Sequence, residues 1–396
     1  MSSDINKYFF FYFTTALGSA VSSIASFLSI ETVFSSTTLL ASALSFKTIA
    51  SAIFSYKAES IIKFFGIRNS FIYSQLFGCA ALLILYYGFK ESNLILTFSG
   101  IMLCSFPGAL VAILLTILLK TDSTSDSIYR ALSARREIIA AVVLLIASIS
   151  TPLLLWIFGL YYALIFDFIS YILGLFLIMN LKLNLQVTIE SKQTILNSQM
   201  RSIFKSPFTW AFIFQTITSL ALIGLIPMIA SSSQLPFSSQ LNTHLREFLW
   251  TSEAITALLA STLYLYLRNK INGEILKCLI MCSSVFLFFF NKGSPIYSML
   301  LFCTLISLLS SLSFMKFRDD YILAAQNDRE KLRLYSSFSI FQKNLIQFMS
   351  PLAISIFYTS FKTCYGNMIF LFIQLFGILL YILFSNVYFR NEAYIQ

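Results

Sequence analysis

The sequence predicts an all-α membrane protein of twelve transmembrane helices, arranged as two pseudo-symmetric bundles of six. Of the 396 residues, 58% are hydrophobic and only 11% are charged. Soluble domains contain about 45–50% apolar and about 25% charged residues. Long apolar runs recur along the whole chain, and its basic residues cluster on alternate sides of them. These observations exclude an ordinary cytosolic enzyme, a disordered chain and a disulfide-rich scaffold.

Each predicted span is an apolar run of about 20 residues, the length that crosses a hydrocarbon core. The first six runs are Tyr8–Ile30, Thr37–Tyr56, Ile67–Phe89, Leu94–Leu119, Ile138–Phe158 and Leu160–Asn180. The second six are Phe208–Ser232, Phe248–Leu267, Ile275–Asn291, Pro295–Met315, Tyr335–Thr359 and Cys364–Ser385.

The distribution of basic residues orients these helices. With a cytoplasmic N-terminus, only four of the 27 Lys and Arg residues fall in outer loops and two fall within helices. The outer four are Lys90, Arg246, Lys292 and Lys362, and the two within helices are Lys47 and Lys343. The others lie in cytoplasmic segments, as the positive-inside rule requires. Both termini are therefore predicted to be cytoplasmic, and the net charge of +10 is an orientation signal that needs no nucleic-acid partner.

A weak internal repeat predicts the domain organisation. Pro152 in the fifth span and Pro351 in the eleventh are about half the chain length apart, and paired halves are typical of transporters built from repeats. We expect bundles at 1–180 and 208–396, joined by a basic cytoplasmic connector at 181–207. The connector is either an amphipathic helix on the inner leaflet or a solvated linker.

The turn between the second and third spans carries part of a family motif that reads Gly-x-Leu-Ala-Asp-Arg-x-Gly-Arg-Arg. Gly66 and Arg68 match it and Ile61 replaces its Leu, whereas Glu59 and Lys63 stand where the motif has Gly and Asp. Together with the 6 + 6 organisation and the basic central loop, this stretch resembles the major facilitator superfamily.

A second stretch resembles one branch of that superfamily. Pro152, Asp167 and Ser170 match a helix-5 proline and a helix-6 Asp-Ala-x-Ser-Phe pattern of enterobactin exporters and macrolide-efflux proteins. The resemblance implies a secondary active transporter of the bacterial inner membrane that works by alternating access. It further implies proton-coupled export of a siderophore, an antibiotic or a peptide-like product. An importer of an anionic nutrient or siderophore is the alternative, and a polytopic membrane enzyme is a weaker one.

Two lysines within spans are the first candidates for the substrate pathway. A charge at mid-bilayer costs about 2.5–3.5 kcal/mol on insertion scales. Lys47 shares a helical face with Ser51, and Lys343 shares one with Gln347 and Ser350. The resemblance implies that both lysines face one central cavity, where they would bind an anionic group. Snorkelling or a structural ion pair is the alternative reading of both.

Acidic residues within spans are candidates for proton transfer. Glu253 lies several residues inside the eighth span, and a carboxyl group in an apolar environment binds a proton more readily than in water. Alternatively, it pairs with a lysine or with Arg246. Asp167 shares a face with Ser170, and we expect a structural, hydrogen-bonded role for it. Asp319, among the acidic residues before the eleventh span, is expected on a solvated face.

The remaining candidates are structural. Arg135, Arg136 and Glu137 form an expected ion cluster at the inner gate, and Pro152 and Pro351 are expected helix kinks. The sequence shows no spacing typical of a metal site and no nucleotide-binding loop. We therefore expect no metal and no cofactor. The expected partners are the lipid bilayer, protons and a small-molecule substrate, and we expect a monomer.

The topology predicts the outcome of reporter fusions. A fluorescent protein fused after Gln396 should fluoresce, because that terminus is predicted to be cytoplasmic, and alkaline phosphatase inserted at Ser92 should be active. Phosphatase activity after Gln396 without activity at Ser92 would contradict the orientation.

Overall fold

The computed structural model describes residues 3–34, 37–121, 123, 125–180, 239–267, 270, 296–323 and 331–345, together with residues 209 and 213. The elements in these ranges are all α-helices: α1 (Ser3–Phe34), α2 (Thr37–Lys90), α3 (Leu94–Thr121), α4 (Asp126–Phe158), α5 (Leu160–Met179), α6 (Ser239–Leu267), α7 (Ile296–Leu323) and α8 (331–345). The all-α prediction is confirmed for this part of the chain.

The number of twelve spans stays a prediction, because part of the chain lies outside the described residues. The predicted spans Ile275–Asn291 and Cys364–Ser385, the connector 181–207, nearly all of Phe208–Ser232 and the second half of Tyr335–Thr359 belong to that part.

The chain divides into two compact units. The first contains Met1–Ile189 and the later segment Ser336–Phe348, and the second contains Glu190–Tyr335 and Met349–Gln396. Helices α1 to α5 therefore belong to the first unit, together with most of α8. The division into two six-helix bundles stays a prediction.

The second and third predicted spans form the two arms of α2, which meet at Gly66. This residue has φ 77° and ψ 166°, a region of conformational space open essentially to glycine alone. Side chains larger than hydrogen would strain the backbone there. The glycine of the motif therefore has a direct structural reason, since it turns the chain between the arms. Gly159, with φ 81°, separates α4 from α5 in a similar way.

Helix α4 begins twelve residues before the apolar run that predicted it, at Asp126 rather than Ile138. The Ser125 side chain caps the helix by accepting a hydrogen bond from the backbone N–H of Ile128, at 3.3 Å. The added turns carry several charged residues, so their mean hydropathy is low. They are helical because buried residues such as Tyr129 and Leu132 pack against the rest of the unit.

Glycines allow the second arm of α2 to lie close against α3. A Cβ atom at Gly100 would lie 2.7 Å from Leu85 Cα, and one at Gly88 would lie 2.5 Å from the backbone nitrogen of Thr97. Small residues at helix contacts let backbones approach closely, as is usual in membranes. These contacts hold α2 and α3 together as a hairpin within the first unit.

The outer faces of α4 and α5 suit contact with lipid. Trp156 is 83% exposed and Phe176 is 66% exposed, and exposed apolar surface of this kind marks an interaction with a partner or a membrane. Five helical segments of the described residues are long and apolar enough to cross a bilayer: Ile5–Phe34, Ser45–Lys90, Leu94–Thr121, Asp126–Phe158 and Leu160–Met179. The described helices are those of an integral membrane protein.

The close packing of α2 and α3 predicts unequal effects of two alanine substitutions. Gly100→Ala should lower the stability of the purified protein by about 1–3 kcal/mol, because the added methyl group overpacks the contact with Leu85. Gly108→Ala, in the same helix, should leave the thermal midpoint in detergent unchanged or slightly higher, since nothing lies within 4 Å of a Cβ atom there. Equal midpoints for the two variants would contradict this packing.

Candidate functional site

The polar residues of the first unit converge on α1. This helix carries Ser19, Ser22, Ser23 and Ser26 within two turns, and residues three or four apart share a helical face. Ser22 and Ser26 are almost fully buried. The serines place hydroxyl groups inside an otherwise apolar helix, facing both α2 and α5.

On the α2 side, the serine face holds the Lys47 ammonium. Lys47 Nζ donates a hydrogen bond of 2.8 Å to Ser23 Oγ and lies 5.3 Å from the centroid of the Phe27 ring. The ring adds a cation–π attraction. An ammonium group can donate three hydrogen bonds, so the bond to Ser23 leaves Lys47 able to bind a carboxylate.

On the α5 side, the same helix holds the Asp167 carboxyl, which is 1% exposed. One carboxyl oxygen accepts a hydrogen bond from Ser22. The other accepts from Ser170 Oγ at 3.1 Å and from Ser19 Oγ at 3.4 Å. A buried carboxyl group is costly without such donors. The cluster of Asp167, Ser19, Ser22 and Ser170 is called the Asp167 cluster below.

Glycines on both helices make this cluster possible. A Cβ atom at Gly18 would lie 2.1 Å from Ser170 Oγ and 2.7 Å from Asp167 Oδ1, and one at Gly174 would lie 2.6 Å from Thr15 Cγ2. Helices α1 and α5 therefore approach each other closely enough for the short serine side chains to reach the carboxyl group.

Helix α1 thus connects two opposite charges. Ser23 contacts Lys47, and the adjacent Ser22 contacts Asp167. The two charged groups are thus held by adjacent residues of one helix, and opposite charges attract more strongly where water is excluded. The sequence does not reveal the link, because 120 positions separate Lys47 from Asp167.

A residue of α8 lies against the polar stripe that continues from Lys47. Asn344 Nδ2 donates a hydrogen bond of 2.7 Å to Ser51 Oγ and a longer one, of 3.4 Å, to Ser55 Oγ. One turn away, the Phe341 and Tyr56 rings have centroids 6.0 Å apart. The residue after Lys343, rather than Lys343 itself, makes these hydrogen bonds to α2. Sequence reasoning missed Asn344, although its position beside Lys343 marks it as a polar residue within a predicted span.

Of the predicted ion cluster, Arg136 pairs with Glu137, and its role at an inner gate stays a prediction. Its guanidinium donates to Glu137 Oε1 at 2.7 Å and to Thr116 Oγ1 of α3. Arg136 is buried and Arg135 is exposed, so the adjacent arginines differ in role. Arg68, the other residue of the turn motif, is exposed and donates a hydrogen bond of 3.3 Å to the backbone oxygen of Met179.

Other predicted residues are placed only in part. Pro152 lies within α4, and Lys343 lies in α8. Glu253 lies in α6, but its side chain falls outside the described residues, as do Gln347 and Pro351. Their roles stay predictions.

The expectation of a solvated face at Asp319 is wrong. Asp319 is fully buried near the end of α7, where it accepts a hydrogen bond of 2.9 Å from the Tyr264 hydroxyl of α6. Arg318 Nη2 lies 3.1 Å from Asp319 Oδ1. Helix α7 continues to Leu323, beyond the apolar run, and this extension places the charged pair against α6. Alternating acidic and basic residues suggested a surface, whereas the two charges are buried as a pair.

Among the described residues, no group of three or more His, Cys, Asp or Glu side chains is arranged to hold a metal ion. By their chemistry, an ammonium such as that of Lys47 can bind an anion and a carboxyl group such as that of Asp167 can bind a proton.

Comparison with solved structures identifies the fold. A bacterial homologue of the iron transporter ferroportin, in an outward-facing state, matches 97% of this chain and 100% of its own, with a TM-score of 0.76 and 13% identity. The major facilitator superfamily transporter FucP, in the outward conformation, matches with a TM-score of 0.74 and 12% identity over 96% of this chain and 97% of its own. The fold is that of major facilitator transporters.

A further FucP structure, described as the E. coli fucose:proton symporter, matches with a TM-score of 0.69 and 12% identity over 96% of this chain and 97% of its own. No protein-family profile matches the sequence, and no curated protein matches it. The major facilitator resemblance in the sequence is thus supported at the level of the fold, while the exporter branch stays a prediction.

The Asp167 cluster predicts different effects of two serine substitutions one turn apart. Ser22→Ala removes a donor to a buried carboxyl group and should cost about 1.5–3 kcal/mol, the usual contribution of a hydrogen bond to a charged group. Ser26→Ala is the matched control, because Ser26 donates to the backbone oxygen of Ser22 within its own helix and should cost less than about 1 kcal/mol. Thermal unfolding in detergent measures both, and a larger loss for Ser26→Ala would contradict the role of the cluster.

Proposed function

We propose that the protein is a secondary active transporter, which moves a small organic solute across a bacterial inner membrane by alternating access. The fold supports this proposal, because solved transporters match nearly the whole chain. The apolar helices support a location in the membrane. Two halves that rock around a site near the midplane are the general mechanism of transporters built from repeats.

The position of Lys47 is the observation that supports an anionic substrate. Lys47 lies about ten residues into α2, which corresponds to about 15 Å along the helix axis. Its ammonium is directed to Ser23 and Phe27 of α1 rather than to the end of α2. A charge at this depth is costly unless it has a use or a partner. We propose that Lys47 binds an anionic group of the solute, with Lys343 and Gln347 as further candidates for the same pathway.

Export is our first candidate for the direction of transport, on the resemblance of Pro152, Asp167 and Ser170 to an exporter branch. Import is the second candidate, and the similarity to FucP, described as a fucose:proton symporter, favours it. Both candidates use a proton gradient, act as a monomer, need no cofactor and have cytoplasmic termini. Neither includes an enzymatic step.

Lys47 predicts how the protein distinguishes anions from neutral analogues. Organic acids such as citrate, benzoate and amino acids should be screened against their methyl esters by thermal stabilisation of the purified protein, because a ligand that binds the folded state raises its stability. An acid that stabilises the wild type should lose at least about tenfold in affinity with Lys47→Gln, which corresponds to about 1.4 kcal/mol.

Lys57→Gln is the matched control for this substitution. Lys57 is an exposed lysine of the same helix, with its Nζ over the Tyr56 ring. The Lys57→Gln variant should bind every acid as the wild type does. Unchanged binding by Lys47→Gln would refute the role of Lys47. Transport of the identified acid in inverted vesicles then decides the direction: accumulation on acidifying the lumen supports export, and accumulation in whole cells supports import.

A further inference from the structure

The hydroxyl groups around Asp167 can serve two protonation states without backbone movement. Ser170 Oγ lies 2.7 Å from the backbone oxygen of Asp167 and 3.1 Å from its Oδ1. Ser19 Oγ lies 3.4 Å from the same Oδ1 and 3.0 Å from the Tyr171 hydroxyl, and either of these two hydroxyls can donate to the other. A serine hydroxyl both donates and accepts, and its hydrogen rotates to suit.

With Asp167 ionised, the hydroxyls of Ser19, Ser22 and Ser170 all donate to the carboxylate, and Lys47 supplies the opposite charge. With Asp167 protonated on Oδ1, the carboxyl proton is donated to Ser170 Oγ, while Ser170 donates to the backbone oxygen of Asp167. Ser19 then donates to Tyr171 instead. Only hydroxyl hydrogens move between the two arrangements.

Lys47 is the charged group that can favour one protonation state of Asp167 over the other. Among the residues that the structure describes, the ionisable side chains around Asp167 are Lys47 and Cys79 of α2, Cys104 of α3 and Tyr171 of its own helix. Helix α1 contributes hydroxyls to the cluster, and α4 contributes no ionisable group to it among the described residues. Cys79 and Cys104 are free thiols, and a thiol or a phenol is uncharged at neutral pH. The charge balance at Asp167 therefore depends on Lys47.

We propose that Asp167 is the proton-carrying residue of the transport cycle and that Lys47 couples it to the solute. This proposal rests on the proposed function, in which Lys47 binds an anion. An anion on Lys47 cancels the positive charge that Asp167 faces, so Asp167 takes a proton from the water on the side where the solute binds. When the anion leaves on the other side, Lys47 again attracts the carboxylate, and Asp167 releases its proton there.

This coupling sets the number of protons that move with each solute molecule and the net charge that crosses the membrane. One proton moves with each negative charge of the solute that Lys47 binds, in the same direction. Transport of a monoanion therefore moves no net charge, and it responds to a pH gradient but not to membrane potential. Because the outside of a bacterial inner membrane is normally the more acidic side, the coupling drives the solute inward and favours the import candidate.

Substitution of Lys47 tests the coupling without a known solute, because a neutral side chain reproduces the charge balance of an anion-bound lysine. The full-length protein in liposomes is titrated by infrared difference spectroscopy, with the C=O stretch of protonated carboxyl groups as the readout. The band that Asp167→Asn removes belongs to Asp167. We expect Lys47→Gln to move the midpoint of this band upward by about one pH unit or more, a tenfold or larger increase in proton affinity.

Lys47→Arg keeps the positive charge and should titrate within about 0.3 pH unit of the wild type, a difference of about 0.4 kcal/mol. If Lys47→Gln does not fold, Ser23→Ala takes its place, because loss of the hydrogen bond from Lys47 to Ser23 weakens the placement of the ammonium and should shift the band in the same upward direction. A midpoint unchanged in Lys47→Gln, or in Ser23→Ala if Lys47→Gln does not fold, would overturn the proposal.

The two proposals fail in different experiments. If Lys47→Gln binds the acids as the wild type does, the anion site is refuted, while the infrared titration can still show that Lys47 affects the protonation of Asp167. An absent infrared shift together with Lys47-dependent acid binding refutes the proton role of Asp167 and leaves the anion site in place.

Discussion

The serine face of α1, which holds Lys47 on one side and Asp167 on the other, is the constraint on which the polar site of the first unit depends. A charged group in an apolar layer is stable only with a counter-charge or several hydrogen bonds. Asp167 has hydroxyl donors from two helices, and Lys47 has a hydroxyl acceptor and an aromatic face. Because both groups depend on α1, this helix cannot shift relative to α2 or α5 without exposing a charge.

Close helix packing is the condition that makes this arrangement possible. Serine has the shortest hydroxyl-bearing side chain, so it reaches a neighbouring helix only where the backbones are near. Gly18 and Gly174 provide that approach between α1 and α5, and Gly100 provides a comparable one between α2 and α3. In a membrane, where apolar side chains gain little by leaving lipid for protein, such close contacts and buried hydrogen bonds are a main source of helix association. The polar site and the packing of the unit therefore have the same origin.

A buried polar pair also lies at a helix contact of the second unit. Asp319 of α7 pairs with Arg318 and accepts a hydrogen bond from the Tyr264 hydroxyl of α6, near the ends of both helices. Replacing one partner of such a pair leaves an uncompensated buried charge, which is far more costly than the pair itself. The first unit has a related feature in Arg136, which joins α4 to α3 through Thr116. Each unit thus contains a buried arginine at a helix contact.

Hydropathy predicted the helical turns that are apolar and missed those that are polar. The runs that begin α3 and α5 predicted Leu94 and Leu160 as first residues, as the structure has them. The polar start of α4 and the charged end of α7 were missed, because their helical turns are stabilised by tertiary packing and not by hydrophobicity. For the same reason Asp319 was assigned to the surface.

The sequence by itself determined the helical class, the lengths of the apolar runs and the glycine, Gly66, at which the chain turns. Each of these follows from local chemistry: partition between water and lipid, or the φ and ψ angles that a residue can adopt. Only the tertiary structure decided that Ser22 and Ser23 serve opposite charges and that Asn344 meets Ser51. Periodicity shows which residues avoid lipid, but a helical face carries no record of the helix it will meet. The partners of Lys47 and Asp167 are therefore a property of the fold.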